Sequence, residues 1–239
     1  MDKEFTITEH LDEMRKRVIA SLIAVISATL ISIPLASSTL KFLKYPAGGL
    51  IDRLVFFGPE EAFMIYMKVS FMLGLIIAFP IIMSQLWMFI APAVEEKVKK
   101  YAAFFVFSSS LVFILGCLFS YFVLLPTALK FLLGLGTGEL EPVISATRYI
   151  SFVCGLMLAC GLVFEMPVLS FFLTRINVIN ANVLRKKFKY ALIAIAIAAA
   201  AITPTGDAFN MTMLALPMLA LYEVSIWISY FAGKERITR

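Results

Sequence analysis

Glu165 lies inside an apolar run, Ile150–Leu173, between Phe164 and Met166. An ionisable side chain at the middle of a membrane-length run costs ~2.5–3.5 kcal/mol on insertion scales, and that cost marks it as a candidate functional group. Its helical neighbours Gly161, Leu162, Val168 and Leu169 offer no side-chain hydrogen bond. A partner must therefore come from another helix, from water or from a ligand. Pro167 has no N–H for the carbonyl of Val163, so the spacing predicts a kink and a free acceptor at this point.

Other polar groups fall at a similar depth. Glu165 is ~12 Å from the end of its run at Leu173. Ser84 and Gln85 are ~9–10 Å from Ala91, the end of another run, and Ser108, Ser109 and Ser110 are ~9–12 Å into a third that starts at Ala102. Glu165, Gln85 and Ser109 are thus candidates for one intramembrane polar site, a hydrated concavity in the inner half of the membrane. The alternative is packing: serines bonding their own backbone and Gln85 bonding a neighbouring helix. A second set of carboxylates, Glu9, Asp12, Glu13, Glu95 and Glu96, flanks the apolar runs. Carboxylates hold arginine in bidentate fashion, so this set suits a basic peptide. It also suits pairing with the adjacent Arg15, Lys16 and Arg17, since Asp12, Arg15 and Lys16 have i, i+3 and i, i+4 spacing.

Metal and thiol chemistry find little here. His10 is the one histidine. Cys117, Cys154 and Cys160 lie in apolar runs without a CxxC and read as packing residues. No metal or cofactor is expected.

The elements that must position these groups are membrane helices. The 239 residues are 61% hydrophobic and 15% charged, against about 45–50% and about 25% in soluble domains. A chain this short cannot hide that excess in one core. Apolar runs near the ~20 residues that cross a bilayer place helices at about 18–37, 69–91, 102–125, 150–173, 190–203 and 209–230. The expected fold is all-α: one polytopic membrane domain, 1–239, with six crossings. The last two are expected to be short, because the fifth run has few residues and the sixth meets Glu223 beyond Pro217. A pair of re-entrant half-helices is the alternative for these two. Of the 21 basic residues, six (Lys41, Lys44, Arg53, Lys68, Lys130, Arg148) fall in alternate segments and the others in the segments that share the N-terminal side. That bias puts both termini inside and makes nucleic acid an unneeded explanation for the net charge of +5. The leader carries Asp2, Glu4, Glu9, Asp12 and Glu13, so Val18–Ser37 reads as a retained helix, not a cleaved signal. Thr39–Met67 is punctuated by Pro46, Gly48, Gly49, Gly58 and Pro59 and is expected to be ordered by turns at best. Pro126–Tyr149 opens with an amphipathic stretch, Thr127–Leu135. Both could cap the outer surface.

HisLeuAspGluMetArgLysArg (His10–Arg17), GlnLeuTrpMetPheIleAlaPro (Gln85–Pro92), SerTyrPheValLeuLeuPro (Ser120–Pro126), PheGluMetPro (Phe164–Pro167), LeuArgLysLys (Leu184–Lys187) and ThrPro…Asp (Thr203–Asp207) occur in this order. In motif order and spacing the chain resembles the TatC family, the large membrane subunit of the twin-arginine protein translocase. The resemblance covers essentially the whole chain. It implies a receptor for signal peptides bearing paired arginines, in the cell inner membrane. Such a receptor assembles with single-span TatA and TatB subunits, self-associates, and exports folded proteins with proton-motive force. It implies no enzymatic chemistry. Glu13 matches the N-terminal carboxylate that recognises the arginine pair. The family's second such glutamate falls on Val98, with Glu95 and Glu96 three and two residues earlier. Glu165 matches the intramembrane glutamate and Asp207 the acid of the last outer turn. Arg15, Arg17, Pro46, Phe89 and Tyr121 also match family positions. The rival reading from residues alone is a small ion-coupled solute transporter with Glu165 as its coupling site. The inner carboxylates and the lack of an internal repeat distinguish the two.

Overall fold

The computed structural model describes residues 7–47, 54–91, 102–134, 143–176, 178–203 and 208–237. Helix α1 (Ile7–Ser32) passes through a 3-10 turn at Ile33–Leu35, where Pro34 interrupts the ladder, into α2 (Ala36–Lys44). A short strand β1 (Leu54–Val55) precedes α3 (Pro59–Ile90). Helix α4 (Ala102–Phe119) runs through a π-helical turn (Ser120–Leu124) into α5 (Leu125–Gly134). Strand β2 (Ile144–Ser145) leads into α6 (Ala146–Phe164), which is followed by α7 (Met166–Arg175), α8 (Ala181–Lys186), α9 (Phe188–Ile202) and α10 (Ala208–Ile237). Five helical stretches are long and apolar enough to cross a membrane: His10–Lys44, Pro59–Ile90, Ala102–Gly134, Ala146–Arg175 and Ala208–Gly233. Phe188–Ile202 is shorter.

Two expectations are corrected. Thr39–Met67 is not ordered by turns alone, because α2 enters it and α3 begins at Pro59, ten residues before the apolar run. Proline preset for a first turn, with Glu60 and Glu61 beside the helix N-terminus, explains that early start. The last helix is also not short. Its apolar run stops at Glu223, but α10 runs on to Ile237, 30 residues in all. Glu223 does not end it because glutamate is a good helix former once clear of the lipid; there Arg185 of α8 pairs with its carboxylate at 2.8 Å, and the Tyr222 hydroxyl donates to the Leu184 carbonyl at 2.8 Å.

Small residues and aromatic contacts fix the packing. α1 and α3 meet at Gly74, where an added Cβ would run into Thr29 Oγ1 and lie 2.6 Å from the Thr29 Cα. α4 and α6 meet at Gly116, where a Cβ would lie 2.8 Å from the Cys160 carbonyl oxygen and 2.9 Å from the Gly161 Cα. Such approach is how helices associate where lipid removes the hydrophobic drive between them. Phe79 stacks on Phe113 at 3.8 Å, joining α3 to α4. Trp87, Phe105 and Phe172 join α3, α4 and α7 toward the end of the bundle that carries the N-terminus. The same end of α7 is bound to α10: Ser170 donates to the Ser225 carbonyl at 3.0 Å, and the Thr174 and Ser229 hydroxyls are 2.7 Å apart.

The opposite end is closed by long-range ties. β1 and β2 pair in parallel, Leu54 with Ile144 and Val55 with Ser145. The last carbonyls of α2 have no partner within the helix. Tyr121 and Tyr149 supply one each, donating to Phe42 O at 2.7 Å and Leu43 O at 2.8 Å. Tyr121 reaches it from the π turn. That turn forms because Pro126 has no N–H for the Phe122 carbonyl, and Leu125 N–H bonds Ser120 O instead. The Phe42 carbonyl also accepts from Tyr45 N–H, so the two tyrosines are not equivalent. Tyr149→Phe should cost ~1–3 kcal/mol by leaving a buried acceptor bare, and Tyr121→Phe ~1 kcal/mol or less. Thermal unfolding of the two variants in detergent checks that order.

Candidate functional site

Near the N-terminus, α1 faces the last turns of α3. His10 stacks on Phe89 with ring centroids 4.6 Å apart. Just under one turn further on, Glu13 Oε1 accepts from Arg17 Nη2 at 3.2 Å, an i, i+4 pair on one helix face. The other terminal nitrogen of Arg17 reaches across to α3: Nη1 is 3.4 Å from Gln85 Oε1 and 3.5 Å from Met88 Sδ. Glu13, Arg17 and Gln85 are half-buried, whereas Asp12, Arg15 and Lys16 point outward. Among the described residues no ion pair joins Asp12 to Arg15 or Lys16; the local pairing is Glu13 with Arg17.

Beside this cluster, α3 and α4 enclose a cleft of about 550 Å³ lined by Pro80, Ser84, Trp87, Met88, Ala102 and Val106, among others. Its chemistry differs from the expected hydrated concavity. The lining is mainly apolar, and the two serines on its wall turn inward on their own backbone, Ser84 to Ile81 O at 2.7 Å and Ser110 to Val106 O at 2.7 Å. Ser108 does the same, to Phe105 O at 3.1 Å.

Glu165 sits deeper, between α4 and the junction of α6 with α7. The fourth crossing breaks there: Glu165 N–H bonds Leu162 O at 3.2 Å, and α7 restarts with Leu169 N–H on Glu165 O at 2.9 Å. Pro167 is the cause, as its position predicts. The Glu165 side chain is 4% exposed and Ser109 is fully buried. The Ser109 hydroxyl faces the carboxyl closely enough to act on it. Even so, neither carboxyl oxygen nor that hydroxyl completes a hydrogen bond. Glu165 and Ser109 are thus brought together, while Gln85 is not part of their site: it shares their depth but belongs to the Arg17 cluster.

Several candidates lie elsewhere. Pro46, in the 3-10 turn Tyr45–Ala47, and Tyr121 belong to the closed far end. Tyr121 ties the end of α2 there, and Pro46 lies in the turn that follows it. Glu95, Glu96 and Asp207 lie outside the described residues. His10 and Met88 are site neighbours that sequence reasoning missed. The antiparallel run of α1 against α3 is the signal that pairs them, since residues near 10–17 must then oppose residues near 85–89.

Residues 9–217 match the family described as Sec-independent protein translocase protein (TatC). This chain belongs to the TatC family. It is 38% identical over 230 residues to the Sec-independent protein translocase protein TatC of Carboxydothermus hydrogenoformans, covering 96% of this chain and 95% of that protein. It is also 38% identical to the Aquifex aeolicus protein of the same name over 234 residues, covering 96% and 97%. The crystal structure of a twin-arginine translocase receptor, TatC, superposes with a TM-score of 0.85 at 38% identity, covering 94% of this chain and 99% of that one. As a TatC-family chain with several membrane-length helices, it is a multi-pass membrane component of a protein translocase. The ion-coupled transporter reading is set aside by that membership.

Proposed function

We propose that this chain is the receptor of a twin-arginine translocase and that Glu13 grips the arginine pair of an export signal. The observation that carries the reading is the placement of Glu13. It is half-buried at the rim of the bundle, beside Gln85 and the Phe89–His10 stack, and above an apolar cleft. Guanidinium groups are always charged and stay at a wet edge, where a carboxylate holds them by paired, charge-assisted hydrogen bonds. The apolar part of the signal then has the cleft wall to lie along. The excess of Lys and Arg on the N-terminal side supports both termini being cytoplasmic, in the cell inner membrane. The short α9 then completes a sixth crossing by local thinning of the bilayer. Its alanine-rich surface suits close docking of single-span TatA- and TatB-type partners. Arg15, Phe89, Glu95 and Glu96 complete the peptide-binding rim in this reading. Export of folded cargo draws on proton-motive force, and Glu165 with Ser109 forms an intramembrane polar site that meets a polar group on a partner helix or on the inserted signal.

The test is binding of a synthetic twin-arginine signal peptide, and of its twin-lysine variant, to the full chain in lipid nanodiscs. Glu13→Gln is expected to weaken twin-arginine binding about tenfold, the weight of one hydrogen-bonded charge. Equal crosslinking of both peptides at position 13 would remove Glu13 from recognition.

A further inference from the structure

Arg17 holds Glu13 in a way that invites replacement. Its contact uses one carboxylate oxygen at 3.2 Å, with side chains 33% and 22% exposed. Its reach to Gln85 is 3.4 Å, near the outer limit of such a bond, and its remaining contact is to the weakly accepting Met88 sulfur at 3.5 Å. Its Nε is buried without an acceptor. The Arg185–Glu223 pair of the same chain closes at 2.8 Å, so the looseness at Arg17 is local. Each terminal nitrogen of Arg17 takes a different acceptor, one on α1 and one on α3. That division fits a planar fork, and an ammonium, being a single point, does not span it.

We propose that Arg17 is a resident stand-in for an arginine of the signal peptide. In the free receptor it occupies Glu13 and keeps Gln85 oriented; the incoming guanidinium displaces it and closes on Glu13 with two short bonds. This rests on the Glu13 docking reading. Arg17 is then a brake on affinity and a template for arginine over lysine. An unoccupied Glu13 would accept any cation, so the brake also excludes peptides whose basic residues cannot outcompete a guanidinium.

The experiment measures Kd of the twin-arginine peptide for the full chain in nanodiscs. Arg17→Gln is expected to tighten binding about two- to fivefold, the weight of a part-exposed ion pair. The same change made in a Glu13→Gln background should do nothing. Lys16→Gln removes an outward charge one residue away and should also do nothing. If Arg17→Gln weakens binding or leaves it unchanged while Glu13→Gln weakens it, the stand-in is overturned and the docking reading stands. Equal tightening by Lys16→Gln overturns it too, since bulk charge then explains the gain. If Glu13→Gln has no effect, both readings fall. Arg17→Lys keeps charge and helix and serves if Arg17→Gln does not fold. A tightening supports the proposal, and an unchanged or weaker Kd overturns it.

Discussion

Gly116→Leu is expected to leave no folded bundle. At this position α4 lies against α6 backbone to backbone: an added Cβ would stand 2.8 Å from Cys160 O, 2.9 Å from Gly161 Cα and 2.9 Å from Phe164 Cβ. Two of these neighbours are main-chain atoms that no rotamer change can move. Overpacking a core by a methylene or two costs ~1–3 kcal/mol when side chains can shift. Here the helices themselves must part, and the Cys117 thiol contact to Met157 O at 3.4 Å goes with them. The separation also pulls Ser109 away from Glu165, because both lie on the same helix pair. Gly116→Ala meets the same atoms with less bulk and should yield a chain that folds but melts earlier. Size-exclusion profile and thermal unfolding in detergent read both. A leucine variant with the melting point of the parent would show that the α4–α6 approach is looser than described.

Glu165→Leu is expected to separate stability from transport. The carboxyl is 4% exposed, and neither oxygen has a hydrogen bond. A bare buried polar group costs ~1–3 kcal/mol, so a side chain of similar volume without that group should raise the unfolding temperature. If Glu165 were only packing, export would then be unchanged or improved. If it is the intramembrane polar site proposed above, export of a twin-arginine cargo by reconstituted vesicles should fall to near background while the melting point rises. Ser109→Ala should follow the same pattern with a smaller gain. Full export by Glu165→Leu would remove the functional role.

The sequence made the crossings legible because hydropathy reports what lipid covers. It did not report where helices start and stop. α3 begins at Pro59, with Glu60 and Glu61 in its first turn, and α10 runs past Glu223, since charged residues leave the lipid without leaving the helix. Thr39–Met67 reads as turns because the ties on its described parts come from afar: tyrosines 79 and 106 residues away hold Phe42 and Leu43, and Leu54–Val55 pairs with Ile144–Ser145. No local pattern encodes those contacts. Depth arithmetic brought Ser109 to Glu165 but put Gln85 with them as well. Distance along a helix fixes one coordinate of a side chain, and the direction it faces is the other. Gln85 has the right depth and the wrong azimuth, which is why it meets Arg17 instead. Pairing near Glu13 was visible as charge spacing, though the partners that form are 13 and 17 rather than 12 with 15 or 16.

The first helical rod is moored unevenly. Past its far end, two tyrosines hold the carbonyls of Phe42 and Leu43, and at Thr29 it is wedged against Gly74. From its root at Thr29 toward the N-terminus it lies along α3, and the side-chain contacts described near its tip are a ring stack and three contacts from one guanidinium. Sixteen helical residues between that root and Glu13 make a lever of about 24 Å. A tilt of about 5° at the root carries the carboxylate about 2 Å, the difference between a grip and a miss.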